Sequence, residues 1–269
     1  MIWSNPGYAA ERFLWPAEVS AREIVGNPEL TPPGTLRQTS ERLEKTIARY
    51  PESSSAARAQ LLIGEIYLAR KDYAKAHEEL QRVSDSYPTK SRMVIDAYKA
   101  IAHTYQDQGQ WEQAIKTYSD LLSKYPLDSR VLGVPLQLMK LVEQQAPHKK
   151  DEVMQEMVRH YRRVAEELPP SATALTAQQL LARLFYREGL WNEAIQEFES
   201  LAMRYPYRRE VTVWMKMVED IGRDRLRDPE LVRGMAHRFA EKHPAHKRFV
   251  AAWLEAPLAV RAPQESPIP

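Results

Sequence analysis

Prolines that end amphipathic segments recur at a nearly constant spacing along this chain. Successive members of the set lie 37, 38, 43, 37 and 38 residues apart, and the six are Pro51, Pro88, Pro126, Pro169, Pro206 and Pro244. Proline ends helices because it has no backbone N–H and its ring collides with the preceding turn. A fixed period of this size is typical of solenoids, in which each supersecondary unit stacks on the next. The spacing therefore predicts an array of helical repeats.

The stretch from Ala57 to Pro88 shows what one repeat contains. Apolar residues recur there at helical spacing in two short segments, which a tight turn at Lys71-Asp72 separates. Gly64 in the first segment and Ala76 in the second are small. Small residues are needed where two helices cross closely, because a larger side chain would overpack the crossing. This stretch is therefore predicted to form a helical hairpin.

Two further stretches carry the same pattern. Aligned on the prolines, the Gly64/Ala76 pair corresponds to Ala102/Ala114 and to Ala182/Ala194, and the large residue at Leu80 corresponds to Tyr118 and Phe198. This pattern resembles the tetratricopeptide repeat (TPR) family, whose basic unit is about 34 residues long. The longer units here are similar to those of TPR proteins of bacterial envelopes, of the barrel-assembly lipoprotein and Tol–Pal coordinator type. The resemblance implies an all-α fold: a right-handed superhelical α-solenoid of stacked helix–turn–helix repeats with a C-terminal capping helix.

These signals divide the chain into an N-terminal arm, a repeat array and a tail. The arm at 1–34 is predicted to be irregular and rich in aromatic residues and proline, with one short helix around Pro16–Val25. The predicted array runs from 35 to 256, as a half repeat at 35–51, repeats at 57–88, 95–126, 131–169, 175–206 and 210–244, and a capping helix at 246–256. The proline-rich tail at 257–269 is predicted to be flexible.

Nothing in the sequence indicates an enzyme. The chain has no cysteine, so it has neither a thiol nucleophile nor a cysteine-based metal site. It contains no phosphate-binding loop and none of the common hydrolase or metalloprotease motifs. His237, His243 and His246 lie close together in sequence, but no carboxylate completes a metal-binding set with them. We therefore predict no catalytic, cofactor or metal site, and no cofactor.

The compartment depends on what precedes Met1. The first residues lack the basic and apolar regions of a signal peptide, and no window of 18 apolar residues appears. We expect the bacterial periplasm or cell envelope if an upstream export segment has been removed, and the cytoplasm otherwise.

The TPR resemblance also implies a binding surface. In this family the first helices of successive repeats line a concave groove, and partner proteins bind there as peptide or helical segments. The positions implied here are Arg58, Leu61, Glu65, Lys99, His103, Gln106, Gln179, Arg183, Tyr186 and Arg187. These residues are mixed and polar, which suits a protein segment better than a small apolar ligand. We therefore expect a non-enzymatic scaffold that holds other proteins together in a larger assembly.

Two alternatives remain open at this point. The arm contains Trp3, Tyr8, Phe13 and Trp15, and aromatic residues are favoured anchors at interfaces, so it is a candidate docking arm of a subunit fixed in a larger complex. The region 201–250 contains twelve Lys and Arg against seven Asp and Glu, which suits nucleic acid or an anionic membrane. The net charge of +2 for the whole chain gives no general reason to expect nucleic acid.

Overall fold

The computed structural model describes residues 6–254, and this part of the chain is helical throughout, with no β-strand. The thirteen α-helices are α1 (Pro6–Gly26), α2 (Pro33–Arg49), α3 (Ser54–Ala69), α4 (Tyr73–Ser86), α5 (Ser91–Asp107), α6 (Trp111–Lys124), α7 (Val134–Gln145), α8 (Lys150–Glu167), α9 (Ala172–Arg187), α10 (Trp191–Arg204), α11 (Val211–Asp220), α12 (Pro229–Lys242) and α13 (Lys247–Leu254). The predicted all-α class of TPR-like helix–turn–helix repeats is confirmed. Two compact units divide at residue 156.

The three hairpin turns share one backbone feature, a residue with positive φ. Lys71, Gly109 and Gly189 occupy the same place in the α3–α4, α5–α6 and α9–α10 turns, and their φ angles are 62°, 69° and 72°. Positive φ is favourable for glycine, which has no Cβ, and unfavourable for lysine. After Lys71, the side chain of Asp72 accepts a hydrogen bond from the backbone N–H of Lys75 and so caps α4.

Close packing across the hairpins explains the small residues. In the α3–α4 pair, a Cβ added at Gly64 would lie 2.6 Å from Cγ of Leu80. Ala76 and Leu80 have no exposed area. The corresponding Ala102, Ala114, Ala182 and Ala194 are fully buried as well. The crossing of each pair therefore has no room for larger side chains at these positions.

The N-terminal segment differs from the prediction. Residues 6–26 form one continuous helix with Pro16 inside it. This helix includes the short one predicted around Pro16–Val25, and the prediction of an irregular arm is wrong over residues 6–15. The buried face of α1 follows helical spacing and consists of Ala10, Leu14, Ala17, Ala21 and Ile24. This face packs on α2 and α3, while Pro16 is exposed. Helix α1 therefore pairs with α2, the segment that the sequence indicated as an unpaired half repeat.

The packing order in the first unit places three helices on one face. Helix α1 packs on α3 and α3 packs on α5, while α2 contacts α3 and α4 contacts α5. Because α1, α3 and α5 are the first helices of successive pairs, their exposed sides lie next to one another.

The second unit contains the other strong hairpin, α9–α10, followed by α11, α12 and α13. Helix α11 continues into a π-helical turn at Ile221–Arg225, and α12 packs against α13. Gly222 lies in that turn, and a Cβ there would lie 2.6 Å from Cγ2 of Val232. The predicted tail at 257–269 lies outside the described residues.

Candidate functional site

A groove lies along the adjoining first helices α1, α3 and α5. Its volume is about 390 Å³, and it is lined by Glu11, Leu14, Glu18, Arg22, Ser54, Ser55, Arg58, Arg92, Met93 and Asp96. A wider opening of about 750 Å³ continues from it, lined by Arg92, Asp96, Asp128, Ser129 and Arg130. Because both share Arg92 and Asp96, we treat them as one surface, the α1/α3/α5 groove.

One half of the groove is organised by ion pairs between α1 and α3. Oε1 of Glu18 accepts hydrogen bonds from Nη2 of Arg22 at 2.7 Å and from Nε of Arg58 at 3.1 Å. Nη1 of Arg58 lies 3.9 Å from Oε1 of Glu65. Glu18 and Arg58 are mostly buried, with 15% and 24% of their side chains exposed. Since each charge fixes the next, this half of the groove is pre-organised.

Helix α5 contributes two charges that have no partner. Arg92 and Asp96 lie one helical turn apart on the groove side of α5, and neither forms a hydrogen bond or ion pair within the described part of the chain. The two groups are of opposite sign and face a space large enough for a polypeptide segment. They are therefore available to a bound molecule.

The carboxyl group of Glu65 is influenced by the same charges. Burial raises its pKa above the ordinary value, and the carboxylates of Asp96 and Glu18 raise it further, while Arg58 and Arg22 oppose the shift. Burial is therefore the main cause of the shift, and Asp96 is the carboxylate near Glu65 that has no ion pair in the described part of the chain. A cationic group of a bound partner would be stabilised there.

The far end of the groove is held by a local clamp. The guanidinium of Arg130 donates to both carboxylate oxygens of Asp128, which lowers the pKa of that carboxyl group. Nη2 of Arg130, one of the two nitrogens that bind Asp128, also donates to Oγ of Ser91 at 3.0 Å. Nζ of Lys99 donates to the backbone carbonyl of Arg130 at 2.8 Å. The segment around residue 130 is therefore tied to α5.

The predicted groove residues of the first unit are only partly brought together. Arg58 lines the groove and Glu65 is ion-paired beside it, while Lys99 supports its far end. His103 is exposed, with Nδ1 3.4 Å from a carboxylate oxygen of Asp107. Gln106 donates from Nε2 to the hydroxyl of Tyr118 at 3.0 Å.

Leu61 is a correction. It has no exposed area and packs with Leu80, Val94 and Ala97 in the core, so it cannot contact a partner. The side chain of Leu61 points from α3 towards α4 and α5. The groove positions implied by the family resemblance place it on the exposed side instead.

The remaining predicted residues belong to the second unit. Arg183 and Arg187 are exposed on α9, and Gln179 is partly exposed. Nε of Arg187 lies 2.9 Å from a carboxylate oxygen of Glu188. Tyr186 packs edge-to-face on Trp191 with ring centroids 5.4 Å apart. Whether these residues bind a partner stays a prediction.

The sequence interpretation missed the contribution of α1. Glu11, Glu18 and Arg22 line the groove, and their spacing of seven and four residues places them on one side of a helix. The spacing is present in the sequence, but the prolines and aromatic residues of the same segment favour an irregular arm. Nothing in the sequence indicated Arg92 either. The predicted repeat begins at residue 95, so Arg92 lies before the first groove position that the family resemblance implies.

The aromatic residues of the predicted docking arm have separate surroundings. Trp15 is 62% exposed, whereas the ring of Phe13 packs edge-to-face on Tyr50 at 5.8 Å and lies beneath the guanidinium of Arg49. Tyr8 is 38% exposed. Trp3 lies outside the described residues.

Residues 6–254 contain neither a metal-binding cluster nor a membrane-spanning helix. No group of three or more His, Asp or Glu side chains in this range is arranged to hold a metal ion. None of the helices there combines the length and the apolar character that crossing a bilayer requires.

Repeated hairpins, small residues at their crossings and a shared left-handed turn position define a helical-repeat protein of the TPR type. A model of the YfiO outer membrane lipoprotein family matches residues 29–144, fewer than half of the 269 residues. The match extends from the turn before α2 into α7, and so includes Arg58, Arg92 and Asp96. The predicted resemblance to TPR proteins of this envelope type is thereby confirmed.

Solved structures with TPR repeats are similar to this chain at low identity. A kinesin light chain with nearly identical TPR-like repeats from Podosopora anserina has 20% identity and a TM-score of 0.41, over 74% of this chain and 98% of its own. BtubC from P. vanneervenii has 14% identity and a TM-score of 0.43, over 88% and 92%. A TPR protein from Parabacteroides merdae has 13% identity and a TM-score of 0.38, over 91% and 98%. No curated protein sequence matches the chain.

Proposed function

We propose that this chain is a non-enzymatic scaffold that binds a segment of a partner protein in the α1/α3/α5 groove, within an assembly of the bacterial cell envelope. The observation that carries the proposal is the pair of unpartnered charges, Arg92 and Asp96, in a groove whose other charges are largely paired. The envelope location is supported by the match to an outer membrane lipoprotein family.

The bound segment should carry charges of both signs. A carboxylate of the partner pairs with Arg92, and a cationic side chain of the partner pairs with Asp96, which has no ion pair in the described part of the chain. Charge-assisted hydrogen bonds of this kind are stronger than neutral ones and fix the register of the segment. The partly exposed side chain of Met93 supplies apolar contact area between them.

The partner can be identified by photo-crosslinking in cells. A photoreactive amino acid at Ser54, which is exposed in the groove, should give one dominant adduct, and the same residue at Lys116 on α6 should not. Mass spectrometry then identifies the crosslinked segment, which can be synthesised as a peptide. Cell fractionation of the native protein should recover it with the envelope.

A charge swap then tests the groove itself. Arg92→Asp with Asp96→Arg keeps the net charge but reverses its arrangement, and should weaken binding of the identified peptide by at least about tenfold. Lys116→Asp with Asp120→Lys is the matched control, since these residues have the same spacing on α6 and no partner in the described structure. The proposal fails if the peptide binds the groove variant and the control variant equally well.

A second candidate function is anchoring through the outer side of α1. Trp15 is 62%, Tyr8 38% and Val19 39% exposed, and their spacing places them on one side of the helix. Deleting 1–34 would not test this idea, because the opposite side of α1 belongs to the core. Trp15→Ser with Val19→Ser should release the protein from its complex while peptide binding in the groove is retained. Retention in the complex would exclude this anchor.

A further inference from the structure

The loop between α10 and α11 forms a pocket in the second unit. Its volume is about 370 Å³, and it is lined by Pro206, Tyr207, Arg208, Arg209, Val211, Thr212 and His246. We call it the Tyr207 pocket. No carboxylate is among the lining residues, and the apolar atoms of Pro206 and Val211 contribute to its wall.

The aromatic wall of the pocket is both exposed and positioned. Tyr207 is 84% exposed, yet its ring packs edge-to-face on His246 with centroids 5.1 Å apart. His246 in turn packs on Phe239, which has no exposed area. An aromatic side chain held in this way loses little freedom on binding, which is why such residues are favoured as anchors.

The cations of the pocket are not neutralised. Arg208 and Arg209 are exposed and have no ion-pair or hydrogen-bond partner for their side chains in the described part of the chain. Lys247 and Arg248, which follow His246 directly, are likewise exposed and unpaired there. Other cations of the same region are paired: Lys216 and Arg223 with Glu219, and Arg238 with Glu199.

This difference separates the region 201–250 into two parts. Lys216 on α11 and Arg233 and Arg238 on α12 serve the fold, because they pair with carboxylates of their own or neighbouring helices. Four of the cations that remain available to a partner lie beside the Tyr207 pocket, in the segments 208–209 and 247–248, while Arg227 and Lys242 are exposed outside its lining. An anionic partner would remove the mutual repulsion of these charges.

We infer that the Tyr207 pocket binds an acidic segment of another protein. An apolar or aromatic side chain of that segment packs against Tyr207, Pro206 and Val211, and flanking carboxylates pair with Arg208 and Arg209. The planar guanidinium group matches a carboxylate in two parallel hydrogen bonds.

The shape of the surface favours a peptide over other anionic partners. A bilayer interacts with a protruding apolar face, whereas Pro206 and Val211 line a concavity. Single-stranded nucleic acid is bound through successive aromatic platforms, and this pocket offers one exposed aromatic ring. A single anchoring side chain with carboxylates beside it fits both the size and the charge.

Fluorescence anisotropy with three labelled peptides tests the inference on the full chain. The probe is a short peptide with a central Phe flanked by Glu residues; in one comparison peptide Lys replaces each Glu, and in the other Ser replaces Phe. We expect the probe to bind at low salt, with affinity falling as salt rises, and each comparison peptide to bind at least about tenfold more weakly.

Variants assign the binding to the pocket. Arg208→Ser with Arg209→Ser, and separately Tyr207→Ser, should each weaken probe binding at least about fivefold. Arg159→Ser is the matched control, an exposed and unpaired arginine on α8, and should leave binding within about twofold. Circular dichroism should be unchanged for all of them, because these side chains are exposed.

Two results would overturn the inference. One is equal binding of the acidic and the lysine-containing peptide, or loss of binding in the Arg159 variant to the same extent as in the pocket variants. The other is failure to bind the acidic peptide together with pocket-dependent binding of phosphatidylglycerol-containing vesicles or of an oligothymidylate. That result would assign the pocket to a membrane or to nucleic acid.

Discussion

The crossing of α3 and α4 at Gly64 gives the most direct test of how this fold is packed. A Cβ at Gly64 would lie 2.6 Å from Cγ and 2.7 Å from Cδ2 of Leu80, and 3.2 Å from its backbone nitrogen. Carbon atoms normally approach to about 3.5–4.0 Å. Because Leu80 is fully buried among Leu61, Val83 and Val94, its side chain cannot move aside without disturbing the core.

Gly64→Ala should therefore destabilise the protein despite the better helix propensity of alanine. Overpacking a well-filled core costs about 1–3 kcal/mol. Replacing glycine inside a helix recovers up to about 1 kcal/mol. We expect a net loss of about 1–2 kcal/mol in the free energy of unfolding, measured by urea denaturation followed by circular dichroism. Gly34→Ala in α2 is the matched control, since a Cβ there meets nothing within 4 Å, and it should leave stability unchanged or slightly raised.

A double-mutant cycle with Leu80→Ala tests whether contact with Leu80 causes the destabilisation by Gly64→Ala. In the Leu80→Ala background Cγ and Cδ2 are absent, so Gly64→Ala should be neutral or stabilising there. The coupling energy between the two positions should be about 1.5–3 kcal/mol, as for residues in direct contact. Equal effects of Gly64→Ala in both backgrounds would refute the steric explanation.

Two further predictions concern a turn and a buried histidine. Lys71→Gly should raise the free energy of unfolding by about 1 kcal/mol, because Lys71 has a φ of 62° where Gly109 and Gly189 occupy the equivalent place; Gly109→Lys should lower it by a similar amount in the same urea assay. His160 is 6% exposed, and burial, with a smaller contribution from Arg163, lowers its pKa from 6.5 to about 4. Its neutral form is therefore favoured in the folded state, so stability is complete above pH 6.5 and falls as the pH drops towards 4. Between pH 7 and 5 this loss should amount to about 2 kcal/mol, and His160→Leu should show a correspondingly smaller pH dependence; the same slope in both proteins would contradict the assignment.

The repeat pattern could be predicted from the sequence because its physical causes are local. A helix ends two residues before each of the six periodic prolines, and a hairpin crossing requires a small residue whatever its partner helix does next. Small residues such as Ala114 and Ala194 therefore indicate that they lie at a close, buried helix crossing. The left-handed position at Gly109 and Gly189 is equally local, since glycine is the residue that adopts it without strain.

The N-terminal helix was missed because two signals conflicted. Ala10, Leu14, Ala17, Ala21 and Ile24 recur at helical spacing, which favours a helix, while prolines and exposed aromatic residues favour an irregular segment. The structure resolves the conflict through tertiary packing: alanines allow α1 to approach α2 and α3 closely. Packing of an amphipathic face contributes more to helix stability in proteins than local propensity does.

The charge pattern of the groove could not be predicted from sequence spacing. Arg58 has Glu65 seven residues away on its own helix, but its closest carboxylate is that of Glu18, forty residues earlier in the chain. Arg92 and Asp96 have the spacing at which opposite charges on a helix often pair, and yet they do not. Which charges are satisfied depends on the neighbouring helices that approach them. The residues best suited to bind a partner are consequently those left over once the pairs across α1, α3 and α5 have formed, and this is why the charge swap at Arg92 and Asp96 tests the groove more sharply than a change at the ion-paired Arg58.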